Sequence, residues 1–347
     1  MTDVVFVIIG RNEGEHLQRC FSSVLLASQE ALRCGLICRA VYVDSQSTDN
    51  SVELARQNGV PVLYSHPDYG TPSNARNTGV ILTKSTYLMF IDGDMELSSE
   101  WVVNGVNFLL NNQKAAGVSG LRNDMRLSNH KIILIENYYK TQKEVSIVNS
   151  DVGGAYLYRR SALEAVGGFE PELPCNEEAV LCCELRSIGW ELYRIKVPMI
   201  VHWDTKVASP LQAIRHILLS RKSTVSGVIF RYAVLSSKWW RVYLLGFQKD
   251  LLWHTLWGIG MCAVIAMADM HVGIFLFLVG TSSYVVGLYN EKGDLNRAVG
   301  ALLLRTVYVV NFVVGLLLNR PRLVFGVQNN PDYVNKIQQI NTRFSWS

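Results

Sequence analysis

The sequence predicts an α/β fold in which a mostly parallel sheet carries helices on both faces, followed by amphipathic and transmembrane helices. Three observations support this prediction. Short apolar runs rich in β-forming residues alternate with helical segments up to residue 92. A stretch rich in Lys and Arg begins at residue 206, and three long apolar segments follow it. Those segments explain a mean hydropathy of +0.15, which is unusual for a soluble enzyme.

Strands and helices follow one another in strict order through the first 92 residues. The run from Val4 to Ile9 is apolar throughout, as in a strand that is buried on both faces. Asp49 is a suitable N-cap for the helix that begins beside it. The predicted order is strand 4–9, helix 15–31, strand 40–44, helix 51–58, strand 61–64, helix 73–83 and strand 87–92.

Polar residues follow the strands, where a ligand is expected. In an open parallel sheet the binding crevice lies beyond the carboxyl ends of the strands. Three polar segments should therefore converge on one site. They are Arg11-Asn12-Glu13, the segment from Asp44 to Asp49, and Asp92-Gly93-Asp94.

Asp92 and Asp94 are the most informative of these residues. They stand two residues apart at the end of an extended run, so both side chains can point to the same side. Two such carboxylates repel each other and any phosphate unless a divalent cation lies between them, and oxygen ligands of this kind suit Mg²⁺ or Mn²⁺. Gly93 between them lacks a side chain that would obstruct a bulky ligand.

Composition excludes several classes of protein. The chain has 347 residues, of which 18% are charged and 9 are proline, which excludes a disordered chain and a disulfide-stapled miniprotein. Its 7 cysteines show neither a Cys-x-x-Cys pair nor zinc-finger spacing, so we expect reduced thiols. The start of the sequence lacks the basic residues and longer apolar core of a signal peptide, so the first 200 residues are expected in the cytoplasm.

The second half of the sequence predicts membrane association. Residues 206–250 carry eight Lys or Arg and one acidic residue between apolar side chains, which favours an anionic lipid surface over a nucleic acid. Each apolar segment is close to the roughly 20 residues that cross a bilayer, although buried helices of a soluble core are the alternative. We expect a multi-pass protein of the cell membrane. Its predicted parts are a cytoplasmic domain at 1–205, interfacial helices at 206–250, transmembrane segments at 251–268, 272–289 and 298–318, and a tail at 320–347.

Several motifs occur in a characteristic order between residues 4 and 204. The motifs are Val7-Ile8-Ile9-Gly10-Arg11-Asn12-Glu13, Val43-Asp44-Ser45-Gln46-Ser47-Thr48-Asp49, Ala75-Arg76-Asn77-Thr78-Gly79, Phe90-Ile91-Asp92-Gly93-Asp94, Arg159-Arg160 with Val166-Gly167-Gly168-Phe169, and Asn176-Glu177-Glu178 with Leu185-Arg186-Ser187-Ile188-Gly189. Together they resemble the family 2 glycosyltransferases, which are inverting enzymes with a GT-A (Rossmann-like) fold.

The resemblance implies a role for each matching position. It implies that the protein uses a nucleotide-diphosphate sugar and Mn²⁺ or Mg²⁺, and the expected membrane location favours a lipid-linked or polyprenyl acceptor. Glu178 occupies the position of the general base. The nucleotide-sugar contacts are expected at Arg11, Glu13, Asp44, Arg76, Asp92 and Gly154, and the metal ligands at Asp92, Asp94 and His202.

Two positions depart from the family pattern. Asp44-Ser45 stands where Asp-Asp is frequent, and Glu178 is one methylene longer than the usual Asp base. A Glu can still act as a base if its ionised carboxylate reaches the attacking hydroxyl, and the helix dipole is expected to keep a first-turn carboxylate ionised. Periodicity does not choose between Glu177 and Glu178. Considered alone, Arg76 could be a salt-bridged helix residue and His202 a hydrogen-bonded strand histidine.

The sequence allows four alternative functions to be compared. Transfer to a polyprenyl phosphate needs no base, because a phosphate oxygen is already ionised. A processive synthase should carry Gln-x-x-Arg-Trp, whereas this chain has Gln212-Ala213-Ile214-Arg215-His216, which favours transfer of a single sugar. A catalytically silent membrane scaffold with the same fold would bind no nucleotide sugar. A sugar-phosphate nucleotidyltransferase is disfavoured, because Gly10-Arg11-Asn12-Glu13-Gly14 is a poor match to its glycine-rich loop.

Overall fold

The computed structural model describes residues 2–128, 131–149, 153–204, 224–235, 271–272, 279, 282, 286, 311–317 and 326–344. The chain divides into two compact units. The first comprises Met1–Val207 together with Arg322–Ser347, and the second comprises Ala208–Pro321. The domain boundaries expected from the sequence stay predictions.

The first unit contains the sheet and most of the described helices. Its strands are β1 Asp3–Gly10, β2 Ile37–Asp44, β3 Val62–Tyr64, β4 Tyr87–Asp92, β5 Met95–Leu97, β6 Ala115–Ser128, β7 Lys131–Ile135, β8 Val145–Ile147, β9 Tyr156–Arg159 and β10 Glu191–Asp204. The helices of the described chain are α1 Gly14–Arg33, α2 Ser51–Gln57, α3 Pro72–Leu82, α4 Trp101–Asn111, α5 Arg160–Val166, α6 Glu177–Ser187, α7 Val225–Leu235 and α8 Pro331–Ile340, of which α7 belongs to the second unit.

The elements predicted up to residue 92 are confirmed. Capping explains where two of the helices begin. Thr71 Oγ1 accepts a hydrogen bond from Asn74 N, and Pro72 occupies the first turn of α3, where its missing N–H costs nothing. Asp49 accepts hydrogen bonds from Ser51 N and from Gly14 N, so one carboxylate stabilises the starts of both α1 and α2.

The strand order is β3-β2-β1-β4-β9-β6-β10-β5, with β7 paired to β6 and β8 paired to β10. The first four strands are parallel, as predicted, but β9 lies antiparallel to both β4 and β6. The sheet is therefore mixed, and the prediction of a mostly parallel sheet holds for β1 to β4 and for the parallel pair β6 and β10. The reason is that, among the described residues, β6, β7, β8 and β9 follow one another without an intervening helix, so the chain reverses between strands.

Helices cover both faces of the sheet, and β1 shows how. Val4, Phe6 and Ile8 contribute to a core that is shared with α1, α2 and α4. The alternate residues Val5 and Val7 contribute to a second core with α3, α5 and α6. Side chains of a strand alternate between faces, so a continuously apolar strand is expected to be buried on both sides.

The described end of the chain belongs to the same unit as the sheet. Asn330 caps α8, whose first turn begins with Pro331. Tyr333 OH donates to Asn74 Oδ1 on α3 at 2.7 Å. Asn341 Oδ1 accepts from Tyr64 N at 2.8 Å, and Asn341 Nδ2 donates to Tyr64 O at 3.0 Å, so this side chain extends the hydrogen bonding of the edge strand β3.

The second unit is described at α7 and at residues 311–317, which are helical. Gly227 lies against the backbone of Phe312 and Gly315, where a Cβ would overlap the carbonyl oxygen of Phe312. The rings of Phe230 and Phe312 pack edge to face at 5.4 Å. Glycine therefore permits a close helix contact at this point.

The structure contradicts the predicted multi-pass location in the cell membrane. Within the ranges given above, every helix is too short or too polar to traverse a bilayer. The predicted transmembrane segment 251–268 lies outside the described residues, as do most of 272–289, most of 298–318 and most of the basic stretch 206–250.

Candidate active site

The loops that follow β1, β2 and β3 meet at one edge of the sheet. Asn12 N donates to Ser47 Oγ at 2.9 Å, and Thr48 N donates to Asn12 Oδ1 at 2.7 Å. Gln46 Nε2 donates to the carbonyl oxygen of Pro67, which lies in the loop after β3, at 2.9 Å. The structure thus brings the first two predicted polar segments together.

Three predicted nucleotide-sugar contacts lie in this loop cluster. Asp44 is buried at the end of β2, and its carboxylate accepts a hydrogen bond from Ser47 N at 3.0 Å. Glu13 precedes α1, and its backbone N–H donates to Ser51 Oγ at 3.0 Å. Arg11 is exposed. These positions suit contacts with a nucleoside, and their roles stay predictions.

Asp94 and His202 are adjacent because of the register of two strands. Asp94 precedes β5, which pairs antiparallel with β10 and places Met95 opposite His202. His202 Nε2 consequently lies 3.3 Å from Asp94 Oδ2. Burial tends to lower the pKa of His202, but the hydrogen bond to Asp94 and the charge of that carboxylate raise it overall.

A group of charged residues that the sequence analysis missed holds the other side of His202. Asp124 is fully buried and accepts from Arg122 Nε at 2.7 Å and from Arg126 Nη2 at 2.9 Å. Arg122 Nη2 lies 2.9 Å from His202 Nδ1. The available signal was Arg-x-Asp-x-Arg within a strand, because a spacing of two puts all three side chains on one face.

Arg76 is the centre of the site. Its side chain is 2% exposed, and Nη1 donates to Glu177 Oε1 at 2.6 Å. Nη2 lies 3.0 Å from Asp92 Oδ1 and 3.1 Å from Glu178 Oε1. One guanidinium therefore joins the end of β4 to the start of α6.

Burial and charge shift the pKa values of these groups. Burial raises the pKa of Glu178 to about 7, with a further contribution from the charge of Glu177 and opposition from Arg76. Desolvation therefore opposes the helix dipole that was expected to keep Glu178 ionised, and the carboxyl is partly protonated at neutral pH. Burial also raises the pKa of Asp92 against the effect of Arg76. Burial tends to lower the pKa of Arg76, but the three carboxylates outweigh it and keep the guanidinium charged.

The charges and contacts of this region suit a divalent cation. Three carboxylates face one guanidinium, and Asp94 Oδ1 is buried without a hydrogen-bond partner among the described residues. Among the residues that the structure describes, no three His, Cys, Asp or Glu side chains are arranged to bind a metal unaided. A pair of carboxylates is nevertheless a usual protein contribution to a Mg²⁺ site, because substrate phosphates and water complete the coordination.

Two glycines beside the carboxylates have packing roles. A Cβ on Gly93 would lie 3.1 Å from Leu17 Cδ1 and 3.2 Å from Glu13 Cβ. The sequence suggested that Gly93 makes room for a ligand, but in the structure the absent side chain makes room for α1. Gly154 lies against Asp92, and its carbonyl oxygen accepts from Arg76 Nη2 at 3.4 Å. A Cβ on Gly154 would overlap Asp92 Oδ2.

Replacing Gly154 with Ala should displace the Asp92 carboxylate. Overpacking of this kind costs about 1–3 kcal/mol, and here the strain falls on a residue expected to hold the donor. We expect binding of the nucleotide sugar to weaken about tenfold or more, while the melting temperature falls by several degrees and the protein stays folded. Calorimetric titration of the donor against wild-type and Gly154→Ala protein measures this. Unchanged affinity would show that Asp92 does not contact the donor.

A mixed α/β sheet with an acidic site at the carboxyl ends of its strands is consistent with the GT-A class of nucleotide-sugar-dependent enzymes. The Glycosyl transferase family 2 model matches residues 5–167. Residues 5–167 thus match a family 2 glycosyltransferase domain.

Two curated relatives are similar over part of the chain. One is the poly(ribitol-phosphate) beta-glucosyltransferase of Bacillus spizizenii, 24% identical over 170 residues, which cover 46% of this chain and 26% of the relative. The other is the glycosyltransferase AglE of Haloferax volcanii, 29% identical over 101 residues, which cover 28% of this chain and 32% of the relative. The match thus spans about a quarter to a third of the length of these relatives.

Solved structures with a similar chain path have low sequence identity. A crystal structure of GalNAc-T7 with UDP, GalNAc and Mn²⁺ has a TM-score of 0.47 and 16% identity, covering 67% of this chain and 51% of that one. A crystal structure of S. aureus TarS 1–349 in complex with UDP has a TM-score of 0.46 and 16% identity, covering 91% and 92%.

Proposed function

We propose that this glycosyltransferase moves a sugar from a nucleotide-diphosphate sugar to an acceptor hydroxyl, with inversion at the anomeric carbon and with Mn²⁺ or Mg²⁺ bound. One observation carries the proposal. Arg76 Nη2 lies 3.0 Å from Asp92 Oδ1 and 3.1 Å from Glu178 Oε1. A carboxylate suited to the donor and a carboxylate suited to the acceptor therefore lie beside the same nitrogen atom.

The donor would lie across the edge of the sheet. Its nucleoside would contact the loop cluster at Arg11, Glu13 and Asp44. Asp92 and Asp94 would hold the cation, with His202 as a further ligand or as the partner that orients Asp94. When bound, that cation would neutralise the negative charge of the diphosphate.

Glu178 would act as the general base. Its ionised carboxylate takes the proton of the acceptor hydroxyl, whose oxygen forms a bond to the anomeric carbon while the bond from that carbon to the diphosphate oxygen breaks. The nucleoside diphosphate leaves on the opposite face, which inverts the configuration. Glu177 is 3% exposed and holds Arg76 at 2.6 Å, so we assign it to orienting the guanidinium.

Replacing Asp94 with Asn tests the metal and donor site. The change keeps the shape of the side chain but removes the charge that a cation requires. We expect nucleotide release from a panel of nucleotide sugars to fall at least a hundredfold, as for loss of a main electrostatic contact in an active site. The wild-type activity should disappear with chelator and return with Mn²⁺ or Mg²⁺. Full turnover by Asp94→Asn protein would contradict the mechanism.

The pH dependence of turnover should report Glu178. A base works in its deprotonated form, and burial raises the pKa of Glu178 to about 7. We therefore expect kcat/KM, which reports the groups of the free enzyme, to rise about tenfold per pH unit below 7 and to level off above it. The Glu178→Asp variant, tested over the same pH range, should move the midpoint. A rate that is independent of pH between 5 and 9 would exclude a titrating base.

The acceptor has two chemical possibilities. A hydroxyl acceptor, free or lipid-linked, requires Glu178, whereas a polyprenyl phosphate does not. A silent scaffold is a third possibility, and it should show no metal-dependent binding of a nucleotide sugar by calorimetry. We choose a hydroxyl acceptor because Arg76 contacts both Glu178 and Asp92, which places a possible base close to the proposed donor site.

A further inference from the structure

An exposed tyrosine lies at the end of the site that the nucleoside does not use. Tyr138 is 42% exposed, and its ring lies 4.5 Å from the Arg122 guanidinium. Arg122 is 2.9 Å from His202 Nδ1, and His202 is 3.3 Å from Asp94. A continuous chain of contacts therefore joins this aromatic side chain to the proposed metal site.

The loop that carries Tyr138 is fixed by hydrogen bonds. Asn137 N donates to Asn123 Oδ1 at 2.9 Å, and the Asn137 side chain bonds both the N–H and the carbonyl of Thr141. Tyr138 N donates to the carbonyl oxygen of Arg122 at 2.7 Å. The backbone is thus tied to β6, and the ring is held in place before any ligand arrives.

Two arginines of β6 lie close to the Tyr138 ring. Arg122 and Arg126 are separated by four residues and so project from the same face of that strand. Their guanidinium groups lie 4.5 Å and 5.5 Å from the ring centre. Tyr138 nevertheless stays 42% exposed, so it is accessible to a ligand.

The order of the strands places Tyr138 on the acceptor side. The nucleoside loops follow β1, β2 and β3, and Asp92 ends β4. The strands β9, β6 and β10 lie beyond β4 on the other side. A donor that runs from Asp44 to Asp92 would therefore point its sugar toward β6, to which the Tyr138 loop is bound.

We propose that Tyr138 is a stacking platform for a sugar ring of the acceptor, which makes the acceptor a glycan. One face of a pyranose presents C–H groups, which carry a small positive charge and pack well on the electron-rich face of an aromatic ring. A tyrosine that is already fixed binds such a ring at little entropic cost. This inference rests on the proposed function, because it names the acceptor for the same site.

Binding of methyl glycosides to the full chain tests the inference. A panel of methyl hexosides and methyl N-acetylhexosaminides would be titrated by saturation-transfer NMR with Mn²⁺ present. At least one glycoside should bind wild-type and Tyr138→Phe protein equally and bind Tyr138→Ala about tenfold more weakly. Lys143→Ala changes an exposed residue of the same segment and should leave binding unaltered.

The donor provides an independent measurement on the same proteins. Calorimetry with the nucleotide-sugar panel should give equal affinities for wild-type and Tyr138→Ala protein, which also shows that the variant is folded. Equal glycoside binding by Tyr138→Ala and wild type would overturn the platform. So would binding of a short polyprenyl phosphate by wild-type protein that binds no glycoside. Failure of every nucleotide sugar to bind wild type would instead overturn the proposed function itself.

Discussion

Glu178→Gln should lose between about a hundredfold and ten-thousandfold in kcat and keep its affinity for the donor. General base catalysis contributes rate enhancements of this size. The amide has nearly the shape of the carboxylate but cannot accept the hydroxyl proton. Glu178 lies close to the proposed donor site, because Arg76 Nη2 contacts both Glu178 and Asp92. Steady-state release of nucleotide, together with calorimetry of the donor, separates kcat from binding.

Glu177→Gln is the matched control for this experiment. The Gln oxygen can still accept the hydrogen bond that Arg76 Nη1 now donates at 2.6 Å. Because Arg76 also keeps its contacts with Asp92 and Glu178, we expect kcat to fall less than tenfold. The reverse order of effects would make Glu177 the base. Full activity of Glu178→Gln would favour an acceptor phosphate, which needs no proton removed.

Arg76→Met should destabilise the first unit by about 3–5 kcal/mol. Breaking a buried ion pair by removing one partner leaves a buried charge uncompensated, and effects of that size are usual. The Arg76 and Glu177 side chains are 2% and 4% exposed, so water cannot replace the lost partner. Urea denaturation followed by circular dichroism measures the loss as a lower midpoint.

Two further variants check that explanation. Arg76→Lys keeps the positive charge but loses the planar fork that reaches several carboxylates, so its midpoint should fall between those of wild type and Arg76→Met. In the double variant Arg76→Met/Glu177→Gln the most buried of the three carboxylates is neutral, and part of the stability should return. If the double variant is no more stable than Arg76→Met, the cost comes from lost packing around α3.

The elements up to residue 92 could be predicted because their signals are local. Continuous apolar runs predicted β1 and β4, and the capping residue Asp49 predicted where α2 begins. The carboxyl-end rule then predicted that the loops after β1 and β2 meet, and Asn12 contacts both Ser47 and Thr48. The order of the motifs indicated the family, which the match over residues 5–167 supports.

Other features could not be predicted from local pattern. The antiparallel placement of β9 depends on a chain reversal that carries no periodicity of its own. Asp124 has no sequence motif around it beyond alternating charge, and its importance comes from its burial beside His202. The apolar segments of the second half predicted a membrane protein, whereas no helix within the described ranges has the length and apolarity to cross a membrane. Hydropathy alone does not separate a span from a buried helix.

Residues close together along the chain were enough to predict the parallel half of the sheet, the polar segments at its edge and the resemblance to the family. The contacts between charged or polar side chains became known from the folded structure alone. Arg76 meets Glu177 across 101 residues, and the Asn341 side chain bonds Tyr64 across 277. Contacts at that separation depend on how the elements pack. For the same reason the pKa of Glu178 follows from its burial in the folded chain, whatever its place at the start of a helix suggests.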